Sequence, residues 1–329
     1  MSNEKYRLLD SDILEIDNKV LYRICALRDI YVILKRVGII KVGKGELGGY
    51  IQSEENLSQK DKSWVFNNSM VYGSAKLLDS YICGNSRVYG NAELINTYLY
   101  DSNVYGNSKV IISSLYGNSE VYDNTYVSNT YLHKCSKIFG NAKVIDCCMK
   151  NSIISNRSLV SNSDITNSKI YENSLVLRSN LECSIVNGNI SIIDTLLKGN
   201  VFLSGNAKLN KCNIKGNVQI YENAFLDNSD VIGNIKVHGN SIIVSTTIEG
   251  ESEVCGGTTL ISSNIEDSIV QERGIVENTS MYSDSKILGD GVVLNSELIN
   301  SSSVFGNAKI LNTNLDCVSV SNGVFSNRK

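Results

Sequence analysis

The 329-residue sequence predicts an all-β fold: a three-sided, single-stranded parallel β-helix of about fifteen coils, preceded by a small β-rich cap. Three observations carry that prediction. The chain has no proline and is rich in Asn, Ser, Tyr, Ile and Val, which favours strands and tight turns over helices. From Val65 onward an aliphatic residue returns every five or six positions. The chain also repeats itself: Val71-Tyr72-Gly73-Ser74-Ala75 comes back as Val88-Tyr89-Gly90-Asn91-Ala92, seventeen positions on.

Residues 1–64 lack the repeat. Within them "ILEIDNKVLYRICAL" reads as a hairpin around Asp17-Asn18-Lys19. The region is expected to cover the open first coil, because an exposed strand edge invites edge-to-edge association. "GKGELG", residues 43–48, matches a dinucleotide-binding pattern only superficially, since no helix follows it, and it is read as a turn.

Residues 65–329 are assigned to the β-helix. The aliphatic residues group in threes (Val65, Val71, Leu77; Ile82, Val88, Leu94; Leu99, Val104, Val110) and the series runs on to Leu315. Their spacings, 6-6-5 or 5-6-5, give coils of 16–17 residues with three sides. The middle side, opened by Val71, Val88 and Val104, commonly reads aliphatic-x-Gly-Asn-small-x, and Gly and Asn tolerate positive φ at a corner. The third side has Ser, Thr or Cys at its fourth position in every coil, from Ser80 and Thr97 to Ser296 and Thr313. That pattern predicts an inward column of small hydroxyls bonded to nearby backbone. The Asn or Asp that often precedes it is a second corner signal.

A formal net charge of -3, from 31 basic and 34 acidic residues spread along the chain, offers no footprint for nucleic acid or an anionic membrane. The polar N-terminus and the lack of an apolar run near ~20 residues predict a cytoplasmic protein without signal peptide or anchor. Nine cysteines, an odd number without paired spacings, fit free thiols in a reducing compartment.

The units "VYGNAE", "VYGNSK", "IFGNAK", "LSGNAK" and "VFGNAK" resemble the hexapeptide repeat of left-handed parallel β-helix proteins. Left-handed winding is what that resemblance implies; the spacing itself fixes three sides, and a right-handed helix of the bactofilin kind stays open. "KYRLL", "LYRICALRDI", "GELGGYI", "ENLSQ" and "SWVF" are similar to the opening of the YdcK-type hexapeptide-repeat proteins of bacteria and phages. The resemblance implies an acyltransferase label inherited from the fold, with an acyl-coenzyme A donor and a histidine base between subunits. The chain has two histidines, His133 and His238. Each follows an inward aliphatic residue, so both are expected to face outward, His133 stacked between Tyr116 and Lys150, His238 between Tyr221 and Cys255. His133-Lys134-Cys135 near Cys147 and Cys148 lacks a tetrahedral ligand spacing, and no metal or resident cofactor is expected.

The leading expectation is a non-enzymatic scaffold that binds a protein partner or a copy of itself. On the third side the outward position after the core residue is apolar at Leu78, Ile95, Ile111, Ile145, Leu177, Ile193, Val244, Ile261, Leu294 and Leu311. The other outward column adds Leu159, Leu175, Phe225, Ile242, Ile275 and Val292. So apolar a face suggests a binding surface. An acyltransferase with an inter-subunit site is the alternative. A run of Tyr72, Tyr89, Tyr105, Tyr122 and Phe139 on another face is read as a stabilising ladder.

Overall fold

The computed structural model describes residues 4–34 and 38–326, so the polar start at residues 1–3 and the charged end at 327–329 lie outside the described residues. The protein is an all-β parallel solenoid, and among the described residues its one helical turn is the 3-10 segment Glu54–Asn56. No helix among them is long and apolar enough to cross a membrane. The chain forms two compact units, Met1–Thr166 and Asn167–Lys329.

The first unit opens with five strands: β1 (Tyr6–Ile16), β2 (Lys19–Ala26), β3 (Ile30–Leu34), β4 (Gly38–Val42) and β5 (Leu47–Ile51). β1 and β2 form the expected antiparallel hairpin, its turn made by Asp17 and Asn18 at φ 51° and 57°. β3 and β4 pair separately, and β2 pairs antiparallel with β5. β5 then pairs in parallel with Met70–Val71. Leu57 bridges Leu77, and Trp64–Val65 lies beside Tyr81–Cys83. Parallel stacking therefore already engages Ile51, Leu57 and Val65, all fully buried. Gly48 and Gly49 are required by this approach: a Cβ on Gly48 would come within 2.7 Å of the Val65 carbonyl oxygen. The Tyr6 hydroxyl donates to the Leu57 carbonyl at 2.6 Å, and its ring meets Trp64 edge-on at 6.4 Å.

Above this, three parallel ladders rise in register. One runs from Tyr81–Cys83 to Asp164–Thr166, a second from Met70–Val71 to Ile153–Ile154, and the third from Lys76–Leu78 to Leu159–Ser161. The aliphatic residue at the centre or end of each strand points into the prism. Val88, Leu94, Leu99, Val104 and Val110 have no exposed surface, and each such burial contributes roughly 1.5–3 kcal/mol.

The second unit repeats the scheme, its third side running from Leu175–Leu177 to Val324–Ser326. Here four coils carry one long strand round the corner between first and middle sides: Asn180–Gly188, Leu196–Gly205, Asn213–Ile220 and Asp230–Val237. Gly216, at φ 106°, permits one such crossing; a Cβ there would lie 2.5 Å from the Gly233 carbonyl oxygen.

The corner chemistry follows the sequence with one refinement. On the third side the hydroxyl column is buried, and Ser80 Oγ donates to the Leu78 carbonyl at 2.8 Å while accepting from the Thr97 amide at 3.1 Å. The residue before it takes the positive φ, as at Asp79, Asn96 and Asn129. On the middle side the residue two after the core position does so, as glycine at Gly73, Gly90 and Gly106 and as a polar residue at Asp123, Asn156, Glu172 and Glu222. The following asparagines instead pair with each other along the stack: Asn91 Nδ2 donates to Asn107 Oδ1, and Asn107 to Asn124, each at 2.8 Å. Gly escapes the Cβ penalty of that conformation, and the amides repeat the same bond in two runs, from Asn91 to Asn141 and from Asn173 to Asn240.

Candidate functional site

The apolar positions of the third side do stack, but not as one unbroken stripe. In the first unit Leu78, Ile95 and Ile111 are in register, followed by Ser128, Ile145 and Ser161. The companion column there is Lys76, Glu93, Lys109, Tyr126 and Lys143, with Lys109 Nζ 2.7 Å from Glu93. In the second unit Leu177 and Ile193 lead into Asn210 and Asp227, after which Val244 and Ile261, then Leu294 and Leu311, resume the column around Glu277. The companion column is apolar at Phe225, Ile242, Ile275 and Val292, with Thr259 between, so both columns are apolar in the coils of Ile242–Val244 and Val292–Leu294. Of the ten residues singled out above, Leu78 is exposed and the others are half-buried, because stacked neighbours one strand spacing apart shade one another. Phe225, Ile242 and Ile275 stay exposed.

The aromatic run on the middle side is a tight ladder. Successive rings from Tyr72 to Phe139 lie 4.7–5.0 Å apart and within 3° of parallel. The faces of Tyr89, Tyr105 and Tyr122 are covered by their neighbours, so they offer no stacking platform to a planar ligand. At its lower end Lys19 Nζ lies 5.5 Å from the Tyr72 ring centre and Tyr72 donates to Asp17 Oδ2 at 3.0 Å, tying the ladder to the β1–β2 turn.

The two histidines sit in unlike surroundings. His133 projects from Tyr131–His133, stacked on Tyr116 at 5.4 Å and edge-on to Tyr131 at 3.9 Å, with Lys150 as its register partner. His238 follows the buried Val237 and stacks on Tyr221 at 4.6 Å, the rings within 8° of parallel. Its Nε2 lies 3.3 Å from Glu253 Oε1 and its Nδ1 3.9 Å from Glu222 Oε2. Cys255 completes the group: one donor atom each from His238, Glu253 and Cys255 lie within 4.8 Å of one another. Burial pushes the Cys255 thiol up from its usual value, and the Glu253 carboxylate adds to the shift.

The seventeen-residue spacing places Tyr221, His238 and Cys255 in one column. It does not single out Glu253 and Glu222, which stand 15 and 16 positions from His238 and join it diagonally. The signal that finds Glu253 is strand alternation: Glu253 and Cys255 flank the inward Val254 and so face the same way.

No family model and no curated protein matches the chain. Among solved structures it is similar to a "putative acetyltransferase" from Desulfovibrio desulfuricans G20, at 14% identity over 75% of this chain and 68% of that one, with a TM-score of 0.18. At that level the likeness transfers no function.

Proposed function

We propose that the chain works by binding, and that its partner is a second copy of itself, docked through the third side of the second unit. The observation that carries this reading is the stretch Phe225–Leu294, where every coil of one flat side carries at least one outward apolar residue, two coils carry a pair (Ile242 with Val244, Val292 with Leu294), and Phe225, Ile242 and Ile275 stand exposed. A second copy is the fitting occupant because its rows repeat at the same strand spacing of about 4.8 Å, so two such faces mesh over several coils. Membership of the YdcK-type family and left-handed winding accompany this reading and rest on the sequence resemblance; a cytoplasmic setting rests on the polar N-terminus and the lack of a long apolar run.

Light scattering on the purified chain tests it, with Ile242→Ser/Ile275→Ser as the variant. Both residues point away from the core, so circular dichroism should be unchanged. A wild-type dimer that becomes monomeric supports the proposal. A monomeric wild type, or a dimer indifferent to the substitutions, overturns it.

The acyltransferase reading is favoured by one feature, the carboxylate of Glu253 beside His238, which is how a general base is oriented. It makes His238 rather than His133 the base, with an acyl-coenzyme A as donor. Acyl transfer from acetyl-coenzyme A that disappears in His238→Ala but survives in His133→Ala would support it; activity unaffected by His238→Ala would refute it.

A further inference from the structure

The group around His238 has the composition of a metal site. An imidazole nitrogen, a carboxylate oxygen and a thiol sulfur come from two adjacent coils, in positions that the β-ladder fixes. Lys236 is in register with Glu253 and Val237 with Val254. The His238 amide donates to the Val254 carbonyl at 3.0 Å, and the Cys255 amide to Val270 at 2.9 Å. Glu253 stands on a strand, and His238 and Cys255 each directly follow a strand with their amides still bonded to the next coil, which holds their Cα positions.

We propose that His238, Glu253 and Cys255 bind one thiophilic divalent cation, Zn²⁺ being the ion their donor set suits best. Mixed nitrogen, oxygen and sulfur ligation is characteristic of zinc, and three protein ligands leave a fourth position open to water. Tetrahedral bonds of about 2.0–2.3 Å put donor atoms roughly 3.3–3.8 Å apart. Donors already within 4.8 Å of one another stand close to that spacing.

Two further features belong to such a site. Nε2 faces Glu253 while Nδ1 faces Glu222 at 3.9 Å, so the imidazole has a ligand-side nitrogen and a carboxylate behind the other one. At 3.9 Å Glu222 is not hydrogen-bonded to Nδ1, but a small movement of its side chain would complete the carboxylate–histidine–metal arrangement, in which the outer carboxylate fixes ring orientation and tautomer. Tyr221 stacked beneath the ring restricts it further. The charges also balance: a dication, the Glu253 carboxylate and a Cys255 thiolate sum to zero. Binding replaces the thiol proton with the metal, and one proton leaves for solvent per ion bound.

This inference holds whether or not the chain self-associates, and a metal held by Nε2 and Glu253 would take up the carboxylate that orients the ring in the acyltransferase reading. The test uses the full chain, stripped with a chelator and titrated with Co²⁺ and then Zn²⁺. One equivalent of Co²⁺ should produce a thiolate-to-cobalt charge-transfer band, and one equivalent of Zn²⁺ should abolish it with release of one proton. Cys255→Ser should lose the band. His238→Ala and the more conservative His238→Gln should weaken Zn²⁺ binding more than about 100-fold, since losing even an outer partner costs 10–100-fold. His133→Ala and Cys183→Ser should bind as the wild type does, and circular dichroism should show every variant folded. No band, a band that survives Cys255→Ser, or Zn²⁺ affinity unchanged by either His238 variant would overturn the proposal.

Discussion

Ile112 occupies a backbone conformation that suits it poorly. It sits at the third-side corner with φ 51°, where the neighbouring coils carry Asn96 at 49° and Asn129 at 47°. A β-branched side chain in the left-handed region costs roughly 1–2 kcal/mol, whereas Asn is tolerated there. Ile112 is also exposed, so it recovers little by burial. Ile112→Asn should therefore stabilise the protein by about 1 kcal/mol, read as a higher urea midpoint with an unchanged slope. The corner itself was legible in the sequence, because the buried Ser, Thr or Cys that follows is constant even where the corner residue is not. What residue types could not announce was the His238 group, since Glu222, Glu253 and Cys255 become neighbours only once the coil register is known, and repeat spacing picks out columns rather than diagonals.

Each unit carries the third-side hydroxyl column as a ladder, and at one rung in each, Cys147 and Cys212, a thiol stands in for the hydroxyl. Cys147 Sγ lies 3.1 Å from the Ile145 carbonyl and Cys212 Sγ 3.2 Å from that of Asn210. Burial pushes both thiols up to about 11, from 9.0 in the unperturbed group, outweighing backbone hydrogen bonds that act the other way. The fold thus favours the neutral thiol. Its contribution to stability is complete below pH 9 and is lost as pH rises toward 11, because the unfolded chain ionises first. Relative to Cys147→Ser/Cys212→Ser, the wild type should lose roughly 1–3 kcal/mol more per thiol between pH 8 and pH 11, measured by denaturant unfolding at each pH. An identical alkaline fall in both proteins would show that the thiols are not held neutral. At this scale the sequence specified each strand through its inward aliphatic residue, yet not the fused strands such as Asn213–Ile220. A Gly-Asn pair reads as a break, but Gly216 at φ 106° lets the strand bend while its neighbours keep pairing.

A solenoid of this kind holds each coil through the coils beside it, so its stability is a sum of local terms and its length is adjustable in whole coils. The register states what a whole coil is in the second unit: Leu196 pairs with Asn213 and Leu197 with Ile214. Removing residues 197–213 joins Leu196 to Ile214 and hands every following residue an equivalent place one coil lower. That deletion leaves untouched both Phe225–Leu294 on the third side and His238, Glu253 and Cys255 on the middle side. The shortened chain should fold with wild-type β-sheet circular dichroism, melt only a few degrees lower, and retain both self-association and Co²⁺ binding. Removing residues 197–205 instead joins Leu196 to Asn206, which puts a corner asparagine where Leu197 fills the core and offsets all three sides at once; that chain should not fold. If both deletions unfold the protein, its coils are not interchangeable and the nearest-neighbour account fails. If the whole-coil deletion folds but loses self-association while keeping Co²⁺ binding, the docking surface reaches beyond the apolar rows and includes the coil that was removed.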